Sequence, residues 1–525
     1  MTDDKTKYIL AIDHGTSGAK TAIVSIYGKV MDFEFEETPL YLLEGGGAEQ
    51  NPDEWWHAIE NTSKKLIDKQ VVDVEDIVGV CCSSQWSGTV PVDKDGHHIH
   101  NAIIWMDTRG APYIKEMVGG FVSGYGLRAI LTWLKKTGGA PALSGKDPIA
   151  HIKWLQNEKP DVYRNTYKFL ECKDYLNLKF TGKFATSSET ITLHWVTDNQ
   201  DLDEIYYDDK LIKKLKIDKE KLPEIKHATD ILGNISSEVA DKIGLSKDVK
   251  VVMGSPDIPA AVIGSGAVQD FETHVYIGTS SWLTCHVPYK KTVISHMLAS
   301  LPSARPDRYF IASEQETAGA CLSFLRDNLL YHKDELLQEE EVPDVYKIFD
   351  KIVEQVPAGS NKLIFTPWLY GERCPIEDHT VRGSLMNISL KTTRADMIRA
   401  IFEGVAFNSR WILKYIEKDF VKMRLNPINM IGGGANSNIW CQIYADVLNR
   451  TIKQVKDPIQ ANARGAAFIA SVGLGYIKWD DIAKYIEIKN VYIPNPKNRK
   501  IYDELFEEFQ LIYKNNKKMY RRLNQ

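Results

Sequence analysis

The sequence has no apolar run approaching the ~20 residues that cross a bilayer, and its seven cysteines include no C-x-x-C pair. The adjacent Cys81 and Cys82 cannot readily close an unstrained bridge. An odd number of scattered thiols reads as a reduced set suited to a cytoplasm. Excess charge is also lacking: 65 basic against 70 acidic side chains leave −5, which argues against a nucleic-acid coat or a polybasic membrane surface. The opening stretch MTDDKTKYILAID is acidic where a signal peptide needs a basic segment, and its apolar run is only Tyr8 to Ile12. Low-complexity tracts and long linkers are absent. What remains is 525 residues, 43% hydrophobic and 26% charged, enough for two large domains or three typical ones. The expectation is a cytoplasmic protein with neither nucleic-acid nor membrane partners.

A small self-similarity organises the chain. Apolar Tyr8 to Ile12 leads into Asp13-His-Gly-Thr-Ser17 and then a second apolar run, Ala19 to Ile26. Halfway along, His274 to Ile277 leads into Gly278-Thr-Ser-Ser281 and then Trp282 to Val287. Both read as strand, tight polar turn, strand. Two related halves, each opening with a Gly-Thr-Ser hairpin, would give this pattern; so would two unrelated hairpins drawing on the same turn-prone residues. Alternating Phe33 and Phe35 predict a third strand over Val30 to Glu36. A helix is expected over Pro52 to Lys69, strands at Ile77 to Cys82 and Asn101 to Met106, and a helix over Pro148 to Asn157. Later, apolar Ile428 to Ile431 breaks at Gly432-Gly-Gly434 and Ser437 can cap a helix. Trp440, Ile443, Tyr444, Val447 and Leu448 then share one helical face. Strands mixed with helices in both halves indicate an α/β protein.

Three segments could carry chemistry. In Asp13-His-Gly-Thr-Ser-Gly18 a strand ends in a carboxylate beside backbone amides able to cradle phosphate oxygens, with Lys20 near enough in sequence to add charge. A plain hairpin turn would use the same residues. In Met253-Gly-Ser-Pro-Asp257-Ile-Pro-Ala-Ala261 a buried strand runs into an Ala-rich helix, so Asp257 sits at a helix N-terminus, where the dipole favours an ionised carboxylate. It is either a simple cap or a capped carboxylate that accepts a proton from a substrate hydroxyl. In Ile431-Gly-Gly-Gly-Ala-Asn-Ser-Asn438 three missing side chains let a flat ligand approach the backbone, without the G-x-G-x-x-G spacing of a dinucleotide fold.

Taken in order, these segments resemble the FGGY family of carbohydrate kinases from end to end, most nearly its xylulokinase-like members. The resemblance extends through Glu49 to Trp56 (EQNPDEWW), Ser84 to Gly88 (SQWSG), Trp105 to Arg109 (WMDTR), Lys173 to Leu176 with Thr181-Gly182, Gly371 to Pro375, Arg382 to Ser384, Gly432 to Asn438, and Gly465 to Ala467. It implies two related ribonuclease H-like domains of the actin and hexokinase type, residues 1–267 and 268–525, around an ATP cleft. It implies ATP-dependent phosphorylation of a sugar hydroxyl, with a small-molecule sugar or polyol as partner, and it allows a homodimer. Asp257 then stands as the catalytic base and Asp13 as the Mg²⁺ anchor. Gly15, Thr16, Ser17, Lys20, Gly278 and Thr279 fall on the phosphates, and Gly319, Ser323, Gly433, Gly434 and Ser437 on the adenosine side. Gln85, Trp86, Ser87, Trp105, Asp107, Ile258 and Trp282 fall on the sugar, while Arg109 is expected to pair with Asp107. The chain departs from the family at Trp86-Ser87, where xylulokinases read Met-His, and at Ile258-Pro259 after the base. Both departures fall on the sugar, so a ketopentose such as xylulose, a deoxy sugar and a polyol all stay open. A silent sugar-responsive regulator would not need Asp13, Thr16, Asp257 and Thr279 together.

Overall fold

Ile9, Leu10, Ala11 and Ile12 have no exposed surface, so the first strand must lie centrally in a sheet covered on both faces. The computed structural model describes residues 6–122, 124–329 and 344–524. In it β1 (Tyr8–Gly15) and β2 (Gly18–Ser25) form an antiparallel hairpin, which β3 (Val30–Glu37) extends. The chain crosses through α1 (Pro52–Asp68) to β4 (Ile77–Ser84), parallel to β1. A long excursion carries α2 (Leu127–Thr137), α3 (Pro148–Glu158) and α4 (Cys172–Thr181). β5 (Ile231–Asn234) and β6 (Lys250–Val252) then complete the order β5–β6–β4–β1–β2–β3, and α5 (Asp257–Gly264) leaves the sheet.

The second lobe repeats this scheme. Its hairpin is β7 (Thr273–Ile277) and β8 (Ser281–Val287), flanked by β9 (Thr292–Val293), β10 (Leu298–Pro302) and β11 (Tyr309–Ala312). α6 (Arg394–Tyr415), opened by a Thr393–Asp396 capping box, fills the core ahead of β12 (Ile428–Ile431). α7 (Asn438–Leu448), β13 (Ile452–Val455), α8 (Ala461–Gly473) and β14 (Ile488–Tyr492) follow. From β3 the first sheet reads antiparallel, antiparallel, parallel, parallel, antiparallel through β2, β1, β4, β6 and β5. From β11 the second reads the same through β8, β7, β12, β13 and β14. The two hairpins are therefore corresponding parts of one duplicated topology.

α5 and α8, which follow corresponding strands, pack against each other between the sheets. A Cβ on Gly264 would lie 1.8 Å from the carbonyl of Ala461, and one on Gly465 would lie 1.9 Å from that of Ala260. Only glycine permits so close an approach. Gly465→Val must push the helices apart, and overpacking of this kind costs about 1–3 kcal/mol. Calorimetry should show a lower melting temperature; an unchanged one would contradict the contact.

Beyond the two lobes, the excursion builds its own core from residues such as Trp133, Ile149, Ile152, Phe169 and Trp195, and takes in Leu301 and Phe310 from the second lobe. All seven cysteines are free and buried. Among the described residues no helix is long and apolar enough to cross a membrane. Two sequence expectations change in detail. β3 forms, but Phe33 and Phe35 face solvent, 47% and 44% exposed. Its acidic positions turn toward α1, where Lys69 bonds Asp32 (2.8 Å) and Asn61 bonds Glu36 (3.0 Å). The strand expected over Asn101 to Met106 shrinks to Ala102–Ile103, because the following residues turn to bury Asp107.

Candidate active site

β1 carries Asp13 to the end of the first sheet, where the chain must turn back. The Asp13 carboxylate accepts from Lys20 Nζ (3.4 Å) and, across the lobes, from Asn462 Nδ2 of α8 (3.3 Å). Lys20, expected on phosphate, also donates to the carbonyl of Ile459 (3.1 Å), so here it ties the hairpin to the second lobe. Thr16 Oγ1 donates to Gln85 Oε1 (3.0 Å) and accepts from Trp105 Nε1 (2.9 Å). Gln85 Nε2 donates to Gln50 Oε1 (2.7 Å), and Gln50 Nε2 donates back to the carbonyl of Thr16 (2.9 Å). This closed ring fixes the turn at Gly15 to Ser17. It also joins residues expected on the sugar, Gln85 and Trp105, to one expected on the phosphates. No local pattern marks Gln50 for this role, although it lies inside the Glu49–Trp56 segment.

The approach to Asp257 is held from behind. Lys173 Nζ (3.3 Å) and Asn177 Nδ2 (2.7 Å), both on α4, donate to the carbonyl of Met253. Lys173 is itself paired with Asp174 at 2.6 Å, both fully buried. Gly254 follows at φ +70°, with Cys82's carbonyl only 2.1 Å from where a Cβ would sit. Asp257 opens α5, and its Oδ1 accepts from the amide of Ile258 (2.8 Å). A helix N-terminus suggested an ionised carboxylate of low pKa. The structure corrects this: burial pushes Asp257 up to about 8, and the charges of Asp13 and Glu314 push the same way against the amides of Ile258 and Asp257. A helix end supplies only about half a charge, and desolvation of a carboxylate outweighs it.

On the second lobe, the turn after β7 is locked by amide donations. Gly319 N donates to the carbonyl of Gly278 (2.8 Å), and Ala318 N to that of Thr279 (2.8 Å). A Cβ on Gly319 would stand 2.5 Å from the Gly278 carbonyl. Gly432 (φ +86°) and Gly434 pack on Ile277, while Gly433 faces open space. Ser437 caps α7 through the amide of Trp440 (3.1 Å) and donates to Asp350 Oδ1 (2.7 Å). Ser323 lies 3.1 Å from the hydroxyl of Tyr346. Asp350 and Tyr346 come from the helix Val345–Gln355, which no sequence motif marks. The lobes meet at Tyr276, whose phenol is raised by burial and then by the charges of Asp13 and Asp257. Trp282, expected across the sugar, is instead stacked on Tyr276 with centroids 3.9 Å apart, and its indole N–H donates to His274 Nε2 (3.1 Å). Its ring is buried with Ala261, Ile431, Val455 and Ala461.

Two further residues expected on the sugar are taken up by the protein. Asp107 accepts from the amides of Ala48 and Arg109 (2.9 Å each) and from Arg109 Nε (2.8 Å). The pairing of Arg109 with Asp107 is as expected, and Glu49 joins it at 2.6 Å. Ser87 adopts φ +66° and donates to the carbonyl of Lys146 (2.7 Å). Between the Trp105 ring and the second lobe lies a charged set in which only Arg373 belongs to a segment marked in the sequence, Gly371 to Pro375: Lys146 with Glu316 (3.0 Å), and Arg373 with Glu314 and Glu316. Lys146 Nζ and Arg373 Cζ stand 5.8 and 5.6 Å from the Trp105 ring centroid.

The chain is similar to known carbohydrate kinases along nearly its whole length. The model of the FGGY family of carbohydrate kinases, N-terminal domain, matches residues 8–264, and that of the C-terminal domain matches residues 274–474. A xylulose kinase of Staphylococcus epidermidis is 30% identical over 97% of each chain. Two Lactobacillus acidophilus crystal structures, a gluconate kinase and a ligand-bound xylulose kinase, are each 27% identical with a TM-score of 0.84. They cover 99% and 98% of this chain, and the match spans 100% of each of theirs.

Proposed function

Because the chain belongs to the FGGY family of carbohydrate kinases, it phosphorylates a sugar, and we propose that the acceptor is a ketopentose such as xylulose or a related, less hydroxylated sugar. The observation that carries the reading is that Asp13, at the end of β1, and Asp257, at the start of α5, both stand at the seam between the lobes, where Asp13 accepts from Asn462 of α8 and α5 packs against α8.

In this reading the lobes part at residues 267 and 268, on the loop between α5 and β7. The turns at Gly15 to Ser17 and at Gly278-Thr279 receive the phosphates. Gly319 and Ser323, with Gly433, Gly434 and Ser437, line the adenosine side. Phosphoryl transfer needs alignment and charge neutralisation more than covalent help. Asp257 accepts the proton of the attacking hydroxyl and orients its oxygen. The hydrogen bonds from Lys173 and Asn177 to Met253 keep that carboxylate in place. Asp13 fits a hard divalent cation: it is a carboxylate at the strand end whose contacts to Lys20 and Asn462 are long at 3.4 and 3.3 Å, and Mg²⁺ takes oxygen ligands of this kind. When bound, Mg²⁺ would neutralise phosphate charge.

Coupled ADP release over a panel of ketoses, aldoses and polyols with MgATP tests the reading. Ketopentoses or deoxyketoses should give the highest kcat/KM, and a preference for glycerol or another polyol would overturn that choice of acceptor. The pH dependence follows from burial. With Asp257 near 8, kcat/KM for the sugar should rise about tenfold per pH unit below that value and level off above it. A profile flat from about pH 6 to pH 8 would remove Asp257 as the base.

A further inference from the structure

Next to Asp257 the site opens into a cavity of about 300 Å³. Trp86 and Ile258 line it on the side of the base, Leu134 and Trp195 come from the excursion, and Leu301 and Phe310 from the second lobe. The volume is about twice that of a ~150 Å³ cavity that accepts a benzene ring.

Along the apolar wall the polar atoms of the tryptophans and of two serines are bonded elsewhere. The indole N–H of Trp86 donates to the carbonyl of Thr190 (2.9 Å), and that of Trp195 to Asp147 Oδ2 (2.5 Å). Both rings therefore offer the cavity carbon faces. Ser313 donates to the carbonyl of Leu283, and Ser87 to that of Lys146. The lining is not wholly apolar: Lys146, Glu314 and Arg373 are held in ion pairs beside Trp105, and Glu377 and His379 also border the cavity. Hydroxyls laid along the wall of Trp86, Leu134, Trp195, Leu301 and Phe310 would be left without partners, an arrangement that disfavours binding strongly. An apolar group there would find a matched surface.

We infer that the sugar phosphorylated at Asp257 carries an apolar arm, a deoxygenated, alkyl or aryl end remote from the accepting hydroxyl, and that this arm fills the cavity. The inference rests on the sugar-kinase reading above. It makes the excursion a specificity element: its core takes in Leu301 and Phe310 of the second lobe, so an arm in the cavity would touch both lobes at once.

The test is kcat/KM for D-xylulose, 1-deoxy-D-xylulose and two homologues in which the terminal methyl is extended to propyl or replaced by phenyl. Each buried methylene should raise kcat/KM about fourfold, so the propyl and phenyl compounds should exceed D-xylulose by well over tenfold. Leu134→Trp, which fills the cavity, should collapse the ratio between the phenyl compound and D-xylulose. Should that variant fail to fold, the wild-type series decides alone. A higher kcat/KM for D-xylulose than for every apolar analogue would overturn the inference and leave the kinase reading standing. No ADP release with any acceptor would overturn both.

Discussion

Asp257→Asn should lower kcat by about two to four orders of magnitude, the range expected when acid–base assistance is lost. Affinity for MgATP should be unchanged, because the phosphate turns at Gly15 to Ser17 and at Gly278-Thr279 do not depend on this side chain. The fold should not suffer either. With its pKa raised to about 8, Asp257 holds a proton in the folded protein that the unfolded chain releases above about pH 4. Its contribution to stability is thus complete below the unfolded value and lost as pH rises through the folded one. Asparagine cannot ionise, so the variant should melt no lower than the parent protein at about pH 8. Near-normal turnover would remove Asp257 from the mechanism, and a large drop in melting temperature would turn the loss into a folding effect.

Asp13→Ala should act on metal use. The Mg²⁺ concentration for half-maximal rate should rise about 10–100-fold, the range seen when a group that holds or orients a metal site is lost. Lys20 keeps its bond to the Ile459 carbonyl in that variant, so the hairpin stays tied to the second lobe and the melting temperature should hold. Unaltered Mg²⁺ dependence would place the anchor elsewhere. Asp257→Asn, by contrast, should leave the Mg²⁺ dependence of ATP binding as it was, and the pair of variants separates the two carboxylates by role.

Local patterns were legible without the structure. The hairpin ending in Asp13, its counterpart at Gly278, the break at Gly432 and the cap at Ser437 are each encoded within about a dozen residues, where turn chemistry and periodicity apply. The duplication became certain only from strand order, since β3 and β11 share a place in the sheets without sharing a pattern. The ring of Thr16, Gln85 and Gln50 was hidden because its bonds join residues 34, 35 and 69 positions apart. The Lys146–Glu316 pair spans 170 positions, and neither residue sits in a motif with chemical meaning of its own. For Asp257 the local rule pointed the wrong way: the helix end is a sequence property, whereas burial belongs to the assembled lobes. Trp282 and Asp107 illustrate the same limit. A tryptophan or an aspartate near a site can equally line it or pack behind it, and the partners each takes, here Tyr276 and Arg109, are not written in the local sequence.

The most direct test of the central claim is ³¹P NMR of the protein incubated with MgATP and a ketopentose or deoxyketose. Transfer to a sugar hydroxyl predicts that the γ-phosphate resonance is lost while a phosphomonoester appears in equal amount to ADP, with both changes slowed about 100-fold or more in the Asp257→Asn protein. ADP accompanied only by inorganic phosphate, or a phosphomonoester formed equally well by Asp257→Asn, would contradict the account.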